Sequence, residues 1–422
     1  MSQSTSATRQ GSNAPDTASD AMTWRDGVWL CAIVIIGINL RPLLTSLSPL
    51  MTTIRASTGL SFYGASLLTS LPVVAMGLGA FGANALTRSV GQARGVALGL
   101  IAIALACGAR WSTNSGAALL LTAALAGIGV ASIQALLPGV IKQRFRTRVP
   151  LAMGVFSASI MGGGGLGASV SPWIADALES WHAALAVWAI PALIALIYWF
   201  RLNRRTPHAA SHNDEVARQP VSTVNLWRKR RAWALGLHFG LVNGGYTSLV
   251  AWLPAYYQQH GADVASSGSQ LGAMTVFQAA SALLLPLAAA PFRDRRPWLV
   301  AGLSAQLAGI IGLIVWPQAM PLLWVALTGA GLGGTFSVTL VTTLDHSDDH
   351  HDAARLIAFV QGVGFVVAAA APMIAGFVRD LTGTFTAAWI MLACSISAMI
   401  LLTFAFSPRS YAGALSARAA RD

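Results

Sequence analysis

The chain has 422 residues, of which 55% are hydrophobic and only 10% are charged, and its formal net charge is +12. Soluble domains have about a quarter of their residues charged, so this composition excludes a soluble globular protein and also a disordered chain. The three cysteines, Cys31, Cys107 and Cys394, lie in apolar runs and form no CxxC pair, which excludes a disulfide scaffold and predicts no metal site built on cysteine.

Twelve long apolar segments follow one another along the chain, separated by short polar or basic stretches. A transmembrane helix needs about 20 mainly apolar residues, and the alternating polarity of a barrel strand is absent. The sequence therefore predicts an all-α membrane protein with twelve transmembrane helices. The predicted spans are residues 28–50, 61–86, 95–113, 117–141, 150–175, 182–200, 232–257, 269–291, 298–316, 320–344, 356–378 and 385–406.

The basic residues predict the orientation of these spans. With the N-terminus placed in the cytoplasm, 23 of the 27 Lys and Arg residues fall on the inside, and only Arg55, Arg110 and Arg379 fall in outside loops. Cytoplasmic loops of membrane proteins carry an excess of Lys and Arg. We therefore expect a multi-pass protein of the bacterial inner membrane with both termini in the cytoplasm, and the net positive charge needs no nucleic acid as its explanation.

Composition divides the chain into five parts. We expect a disordered cytoplasmic tail at residues 1–26, a six-helix bundle at 27–200, a basic cytoplasmic loop at 201–231, a second six-helix bundle at 232–406, and a cytoplasmic tail at 407–422. The first tail is rich in Ser, Thr and Ala and too polar to form a core.

The two halves resemble each other at a spacing near 200 residues. The matching segments are 171–175 with 371–375, Trp188 with Trp389, Gly127 and Gly129 with Gly329 and Gly331, and Asn39–Pro49 with Asn243–Pro254. The last match places Tyr246 near the position of Arg41. Such a duplication is typical of transporters in which two bundles face one another across a site at the middle of the membrane.

Short motifs lie in and beside several spans. They are Asn39-Leu40-Arg41-Pro42, Leu-Pro-Gly-Val-Ile-Lys at 137–142, Trp-Leu-Pro at 252–254, Phe-Val-Gln-Gly-Val-Gly at 359–364 and Asp-Leu-Thr-Gly at 380–383. With the twelve spans and the basic central loop, this pattern resembles the cyanate and 2-nitroimidazole permease family of the major facilitator superfamily. The loop at 87–94 departs from the superfamily pattern because it has no acidic residue, and Gln134 stands where the family has Asn.

Arg41 is the first candidate for substrate binding. All fifteen acidic residues fall in tails, loops or span ends, and an Arg at the membrane centre costs about 2.5–3.5 kcal/mol on insertion scales. A bound anion would offset this, since the planar guanidinium matches a carboxylate-like or cyanate-like group. The alternative is a structural Arg bonded to carbonyls that neighbouring Pro42 frees. Since Pro42 lacks an N–H and disfavours helix for the residue before it, the sequence also predicts a kink at Arg41. Thr45 and Ser48 share the helix face of Arg41, and Thr45 either lines the site or bonds back to its own helix.

Seven further polar residues inside the spans complete the candidate substrate-binding set. Tyr246 either lines the pocket or bonds between helices, and His238 either carries a proton or packs as a neutral group. Amides in a membrane must face protein or water, so each either binds solute or joins helices. The seven residues are Asn39, Gln134, His238, Asn243, Tyr246, Gln278 and Gln361.

Two conspicuous motifs are not interpreted as binding sites. The glycine run at 162–167 lacks the Lys-Ser/Thr of a phosphate-binding loop, so it predicts close helix packing. His346, His350 and His351 among aspartates at 345–352 resemble a metal site, but a solvated loop is the favoured interpretation.

The sequence therefore predicts a secondary active or facilitative transporter of a small anionic or planar polar solute, working by alternating access as a monomer in the lipid bilayer. The family resemblance implies cyanate-like or nitroimidazole-like solutes. There is no nucleotide motif, and we expect no cofactor, no metal and no catalytic site. The alternatives are a proton-driven efflux pump, which commonly has a carboxylate among its spans, a membrane sensor, which needs a soluble output domain, and a polytopic enzyme, which needs clustered reactive groups at depth.

Overall fold

The computed structural model of the chain describes residues 24–145, 149–204, 225–346 and 350–411. Most of each expected tail and most of the expected central loop lie outside these residues, but residues 24–26 of the first expected tail are helical and not disordered, and Pro408–Ser410 of the last one forms a 3-10 turn. The described residues form fifteen α-helices, which are α1 Trp24–Ile38, α2 Pro42–Thr45, α3 Met51–Thr58, α4 Phe62–Val90, α5 Gln92–Ala109, α6 Gly116–Phe145, α7 Val149–Ala177, α8 Trp181–Ala186, α9 Ala189–Arg204, α10 Arg230–Gln259, α11 Val264–Ala289, α12 Arg296–Val315, α13 Pro321–Leu344, α14 His350–Thr382 and α15 Thr386–Thr403.

These helices form the twelve predicted spans, arranged as two six-helix bundles. In the described part of the chain, eleven helical segments are long and apolar enough to cross a membrane. The remaining predicted span is α10, a helix of 30 residues that is more polar than the others. Below, the proximal end of the bundles is the end at which α1 begins, and the distal end is the opposite one.

The first predicted span is broken, and the break begins where the sequence predicts a kink. After α1 ends at Ile38, three residues lie outside a helix, and α2 then has only four residues. Pro42 has no N–H to continue the helical ladder, and the chain becomes regular again only at Met51. The predicted kink at Arg41 is thus confirmed, and the irregular segment extends further than one proline requires.

The sequence repeat is also a repeat of helix packing. A Cβ added at Gly127 would lie 2.4 Å from Pro72 Cα, and a Cβ added at Gly329 would lie 2.2 Å from Met274 O. The pair Gly329 and Met274 of the second half is the pair Gly127 and Pro72 of the first half moved by 202 residues. Only glycine permits such close approach of helix backbones, so the two bundles share one packing scheme.

Candidate functional site

Arg41 and Tyr246 meet where the two bundles face one another. The Arg41 Cζ lies 4.6 Å from the centroid of the Tyr246 ring, which is within the range of a cation–π contact. Arg41 is half-buried, and Tyr246 in the middle of α10 is buried. The pair thus contains one residue from each half, and the two residues are those that the sequence repeat aligned.

Arg41 lies in the break of the first span, and its guanidinium has no acidic partner among the described residues. Arg41 is the residue before α2, and its own carbonyl accepts hydrogen bonds from Leu44 N at 2.9 Å and Thr45 N at 3.1 Å. In the described part of the chain, no carboxylate lies within 4.0 Å of its guanidinium. A guanidinium carries five N–H donors, so Arg41 retains hydrogen-bonding capacity for an anion.

Glycines of α7 bring the fifth span against the break. A Cβ at Gly163 would lie 2.2 Å from Ile38 O, one at Gly164 would lie 3.3 Å from Arg41 Cβ, and one at Gly167 would lie 2.8 Å from Pro42 Cα. The interpretation of the glycine run as a close-packing surface is therefore confirmed. Its consequence for the site is that α7 forms a wall directly behind Arg41.

The eighth span, α11, approaches the same wall at Thr275, and its backbone at Gln278 packs on Gly333 of α13. A Cβ at Gly164 would lie 3.7 Å from Thr275 Cγ2, and Gln278 follows Thr275 by three residues, which puts both on one helix face. Gln278 is buried, and its Oε1 has no hydrogen-bond partner among the described residues. Sequence reasoning missed Thr275, although its spacing from Gln278 was a usable signal.

Three of the predicted site residues instead stabilise helices. Asn39 Nδ2 donates to Ile35 O at 2.7 Å and to Pro191 O at 3.2 Å. Asn243 Nδ2 donates to Phe239 O at 2.8 Å, and Thr45 Oγ1 donates to Arg41 O at 3.2 Å. All three side chains are buried, and these bonds occupy donors that a solute would otherwise use.

His238 lies inside the second bundle. Its Nδ1 is 3.3 Å from Thr339 Oγ1, its Nε2 is 3.3 Å from Thr403 Oγ1, and the side chain is fully buried. The ring also packs edge-on against Phe406 at 5.4 Å between centroids. The sequence left open whether His238 carries a proton or packs as a neutral group, and this environment favours packing.

Gln134 and Gln361 remain candidates without a described partner. Gln134 on α6 and Gln361 on α14 are both half-buried. Neither forms a hydrogen bond with Arg41 or Tyr246 in the part of the chain that the structure describes.

The distal end is closed between the halves above the Arg41–Tyr246 pair. Ser48 Oγ donates a short hydrogen bond to Val250 O. Thr52 Oγ1 donates to Gln258 Oε1 at 2.8 Å, and Gln258 Nε2 donates to Pro49 O at 2.8 Å. Ser48 therefore belongs to the closure between the first and seventh spans.

A second distal contact joins α14 to α4. The Asp380 carboxylate accepts hydrogen bonds from Phe62 N at 3.2 Å and Tyr63 N at 2.9 Å. The Phe62 ring contacts two guanidinium groups, with Arg55 Cζ at 3.3 Å and Arg379 Cζ at 4.6 Å from its centroid. Arg379, one of the three arginines that the sequence placed outside, thus joins the two halves at the distal end, whereas Arg55 and Phe62 both belong to the first half.

The histidine-rich segment at the proximal end differs from expectation. His346 is only 3% exposed, its Nδ1 lies 2.7 Å from Thr342 O, and burial lowers its pKa to about 4. Asp345 pairs with Arg295 at 3.0 Å. The interpretation as a solvated loop is therefore wrong for His346, because the ring packs under Tyr411 at 4.0 Å between centroids. The side chains of His350 and His351 lie outside the described residues.

The chain is similar in sequence to known transport proteins. The sequence profile of the Major Facilitator Superfamily matches residues 30–273. The cyanate transport protein CynX of Escherichia coli K12 is 45% identical over 379 residues, which cover 90% of this chain and 97% of that protein. The 2-nitroimidazole transporter of the same organism is 31% identical over 376 residues, covering 88% and 93%.

Solved structures show the same fold. The D-xylose-proton symporter superposes with a TM-score of 0.74 at 15% identity, covering 90% of this chain and 98% of that one. A bacterial homolog of the human lysosomal transporter spinster, in an inward-facing and occupied conformation, superposes with a TM-score of 0.69 at 15% identity, covering 93% and 97%. At this identity the likeness concerns the fold alone.

Proposed function

The chain belongs to the cyanate and 2-nitroimidazole permease family of the Major Facilitator Superfamily, and we propose that it moves a small planar or linear anion of the cyanate class by alternating access. It is a transport protein and not a member of an enzyme family. The site is built from both halves of one chain, which supports a functional monomer.

The Arg41–Tyr246 pair is the observation that carries this proposal. A half-buried guanidinium without a carboxylate nearby attracts an anion strongly, because water screens the charge less than at a surface. Its planar donors match two acceptor atoms of one small anion. The Tyr246 ring at 4.6 Å occupies one side of the guanidinium and leaves its edge for the solute.

Gln278 extends the proposal to neutral planar solutes. Its Oε1 is buried without a partner among the described residues, and leaving such an acceptor unpaired costs about 1–3 kcal/mol. A solute with an N–H group, such as a nitroimidazole, would satisfy it. We therefore propose that the Arg41 side of the pocket selects charge and the Gln278 side accepts a hydrogen bond.

Alternating access requires that the solute binds more tightly in one arrangement of the halves than in the other. Arg41 belongs to the first half and Tyr246 to the second, so an anion bound at Arg41 alters the Arg41–Tyr246 contact that joins the two halves. Opening the distal end would break the contacts of Ser48 with Val250 O and of Gln258 with Pro49 O. Binding and distal opening are thus coupled through residues of the first and seventh spans.

We also propose the bacterial inner membrane as the location, with both termini in the cytoplasm. The support is the partition of Lys and Arg residues, 23 inside against three outside. One of the three outside arginines, Arg379, reaches the Phe62 ring of the other half at the distal end, so it has a role in closure that accounts for its exception to the charge pattern.

The test is solute binding and uptake by the purified full-length protein in nanodiscs and proteoliposomes, with cyanate and 2-nitroimidazole as probes. Arg41→Lys keeps the charge but loses the planar fork, so cyanate affinity should fall by about 1–3 kcal/mol. Arg55→Lys is the matched control, since Arg55 also stacks on an aromatic ring but its contacts with Phe62 and with Leu60 O lie within the first half. Cyanate affinity unchanged in folded Arg41→Ala protein would refute the proposal.

A further inference from the structure

Arg110 is a second arginine inside the first bundle. It begins a 3-10 turn, Arg110–Ser112, that follows α5 at the distal end of the third span. Sequence analysis placed it in an outside loop, but its side chain is 0% exposed. Burying a charge is costly unless the group is well hydrogen-bonded, so the contacts of this side chain indicate what it does.

Its guanidinium connects three spans. Nε donates to Thr122 Oγ1 on α6 at 3.2 Å, and Nη1 donates to the Leu43 carbonyl on α2 at 3.2 Å. Nη2 is buried without a hydrogen-bond partner among the described residues. No carboxylate lies within 4.0 Å in that part of the chain, so the partners of the guanidinium there are one hydroxyl and one carbonyl.

The Leu43 carbonyl belongs to the irregular segment that carries Arg41. Leu43 is two residues after Arg41, in a helix of four residues. A single helical turn has no stability of its own, so tertiary contacts must fix α2. The α7 glycines supply close packing on one side, and Arg110 supplies a directional hydrogen bond from another.

We infer that Arg110 is a positioning residue, which fixes the rotation of α2 and thereby directs the Arg41 guanidinium toward the solute site beside Tyr246. Arg110 itself contacts neither Tyr246 nor the face of Arg41 that is left for solute. This inference rests on the proposed function, in which Arg41 binds the anion. It assigns a role in anion affinity to a residue outside the pocket.

The experiment compares Arg110→Met, Arg110→Lys and the control Thr122→Val in the full-length protein. Arg110→Met should weaken cyanate binding by about tenfold, the effect of misplacing one charge-assisted contact, while 2-nitroimidazole affinity changes little. Arg110→Lys should restore part of the cyanate affinity, because its ammonium can reach one carbonyl. Thr122→Val removes the Nε contact and the hydroxyl's own bond to Leu119 O but keeps the contact of Arg110 with Leu43 O, so it should lower the melting temperature without changing the ratio of the two affinities.

A double-mutant cycle separates positioning from general stability. Residues that act through one another are non-additive, so Arg110→Met should cause no further loss of cyanate affinity in an Arg41→Met background. An equal loss in both backgrounds, or an equal loss for both solutes, would overturn the inference.

A third readout needs no solute. Arginine modification by a phenylglyoxal reagent, mapped by mass spectrometry, reports the environment of half-buried Arg41. Its rate should change in Arg110→Met and stay at the wild-type value in Thr122→Val, and an unchanged rate in both would contradict the positioning role. If wild-type protein binds neither solute, the proposed function fails, and this rate still decides what Arg110 does.

Discussion

The Asp380 carboxylate accepts a hydrogen bond from Tyr63 N at 2.9 Å, and this contact joins the end of α14 to the beginning of α4 across the two halves. The first N–H groups of a helix have no partner within it, and a negative charge there is favourable. Asp380 is thus an N-terminal cap that one half supplies to a helix of the other. When the distal end opens, α4 loses this cap.

Asp380→Asn should therefore favour the distal-open arrangement. Loss of the charge at a helix N-terminus removes about 0.3–1 kcal/mol of stabilisation, all of it from the closed state. The measurement is the distance between spin labels at Ser57 and Thr384, two exposed distal positions in different halves. Asp263→Asn is the control, because Asp263 caps α11 through Ser266 N within its own half. An equal shift in both variants would argue against a cap across the halves.

Substitutions at Tyr246 should separate its ring from its hydroxyl. Tyr246→Phe should lower the affinity only for solutes that hydrogen-bond the hydroxyl. Tyr246→Ala should lower the affinity for all solutes, since a cation–π contact contributes about 0.5–2 kcal/mol. The assay is a binding series with a planar anion and an aliphatic anion of similar size. Tyr256→Phe is the control, as its hydroxyl bonds Leu313 O within the second half. Both affinities intact in Tyr246→Ala would show that this ring only packs between helices.

Counterflow should survive His238→Gln. The His238 ring is fully buried between Thr339 and Thr403, and Gln can replace its hydrogen bonds. His238→Leu should instead lower the free energy of unfolding by about 1 kcal/mol for the lost hydrogen bonds, with transport retained in the folded fraction. Counterflow in equilibrated vesicles and thermal unfolding are the two measurements. Stoichiometric proton uptake with solute that His238→Gln abolishes would contradict this prediction.

Neighbouring glycines of α7 should tolerate alanine very differently. A Cβ at Gly163 would lie 2.2 Å from Ile38 O, whereas one at Gly162 would have no atom within 4 Å. Gly163→Ala should therefore displace α1 from α7 and destabilise by about 1–3 kcal/mol, the scale of overpacking. Gly162→Ala should be neutral or slightly stabilising. Thermal unfolding of both variants in detergent checks the difference, and similar midpoints would show that the two helices can shift apart easily.

Hydropathy was enough to predict the spans, because lipid allows few backbone solutions, and Pro42 was enough to predict the kink at Arg41, because proline removes a donor. Arg41 could be predicted as a binding candidate because a charge at the membrane centre is costly. What each polar group bonds to could not be predicted. Asn39 is as polar as any pocket residue, but its amide reaches Pro191 O, and only the packing of the first span on the sixth decides that. Arg110 was missed because a charge at a span end is normally a loop residue.

The matched residues Trp188 and Trp389 of the repeat are a second case in which the sequence could not predict the hydrogen-bond partner. Trp188 Nε1 donates to Ser171 Oγ at 2.9 Å. In the second half Ala371 stands in the place of Ser171, and Trp389 Nε1 is buried without a partner among the described residues. The sequence shows the substitution, but the orphaned donor is visible only once both indoles are placed in their bundles.

The polar character of α10 has a consequence for how the protein is made. Of its 30 residues, 22 are buried, so neighbouring helices and not lipid surround most of its surface. Thr247 donates to Ala368 O, a carbonyl 121 residues further along the chain, which the ribosome has not yet synthesised when α10 emerges. We expect this helix to leave the translocon slowly, in contact with insertion factors, until α14 arrives to cover it. Membrane integration of the second half is then a cooperative event that awaits the end of translation.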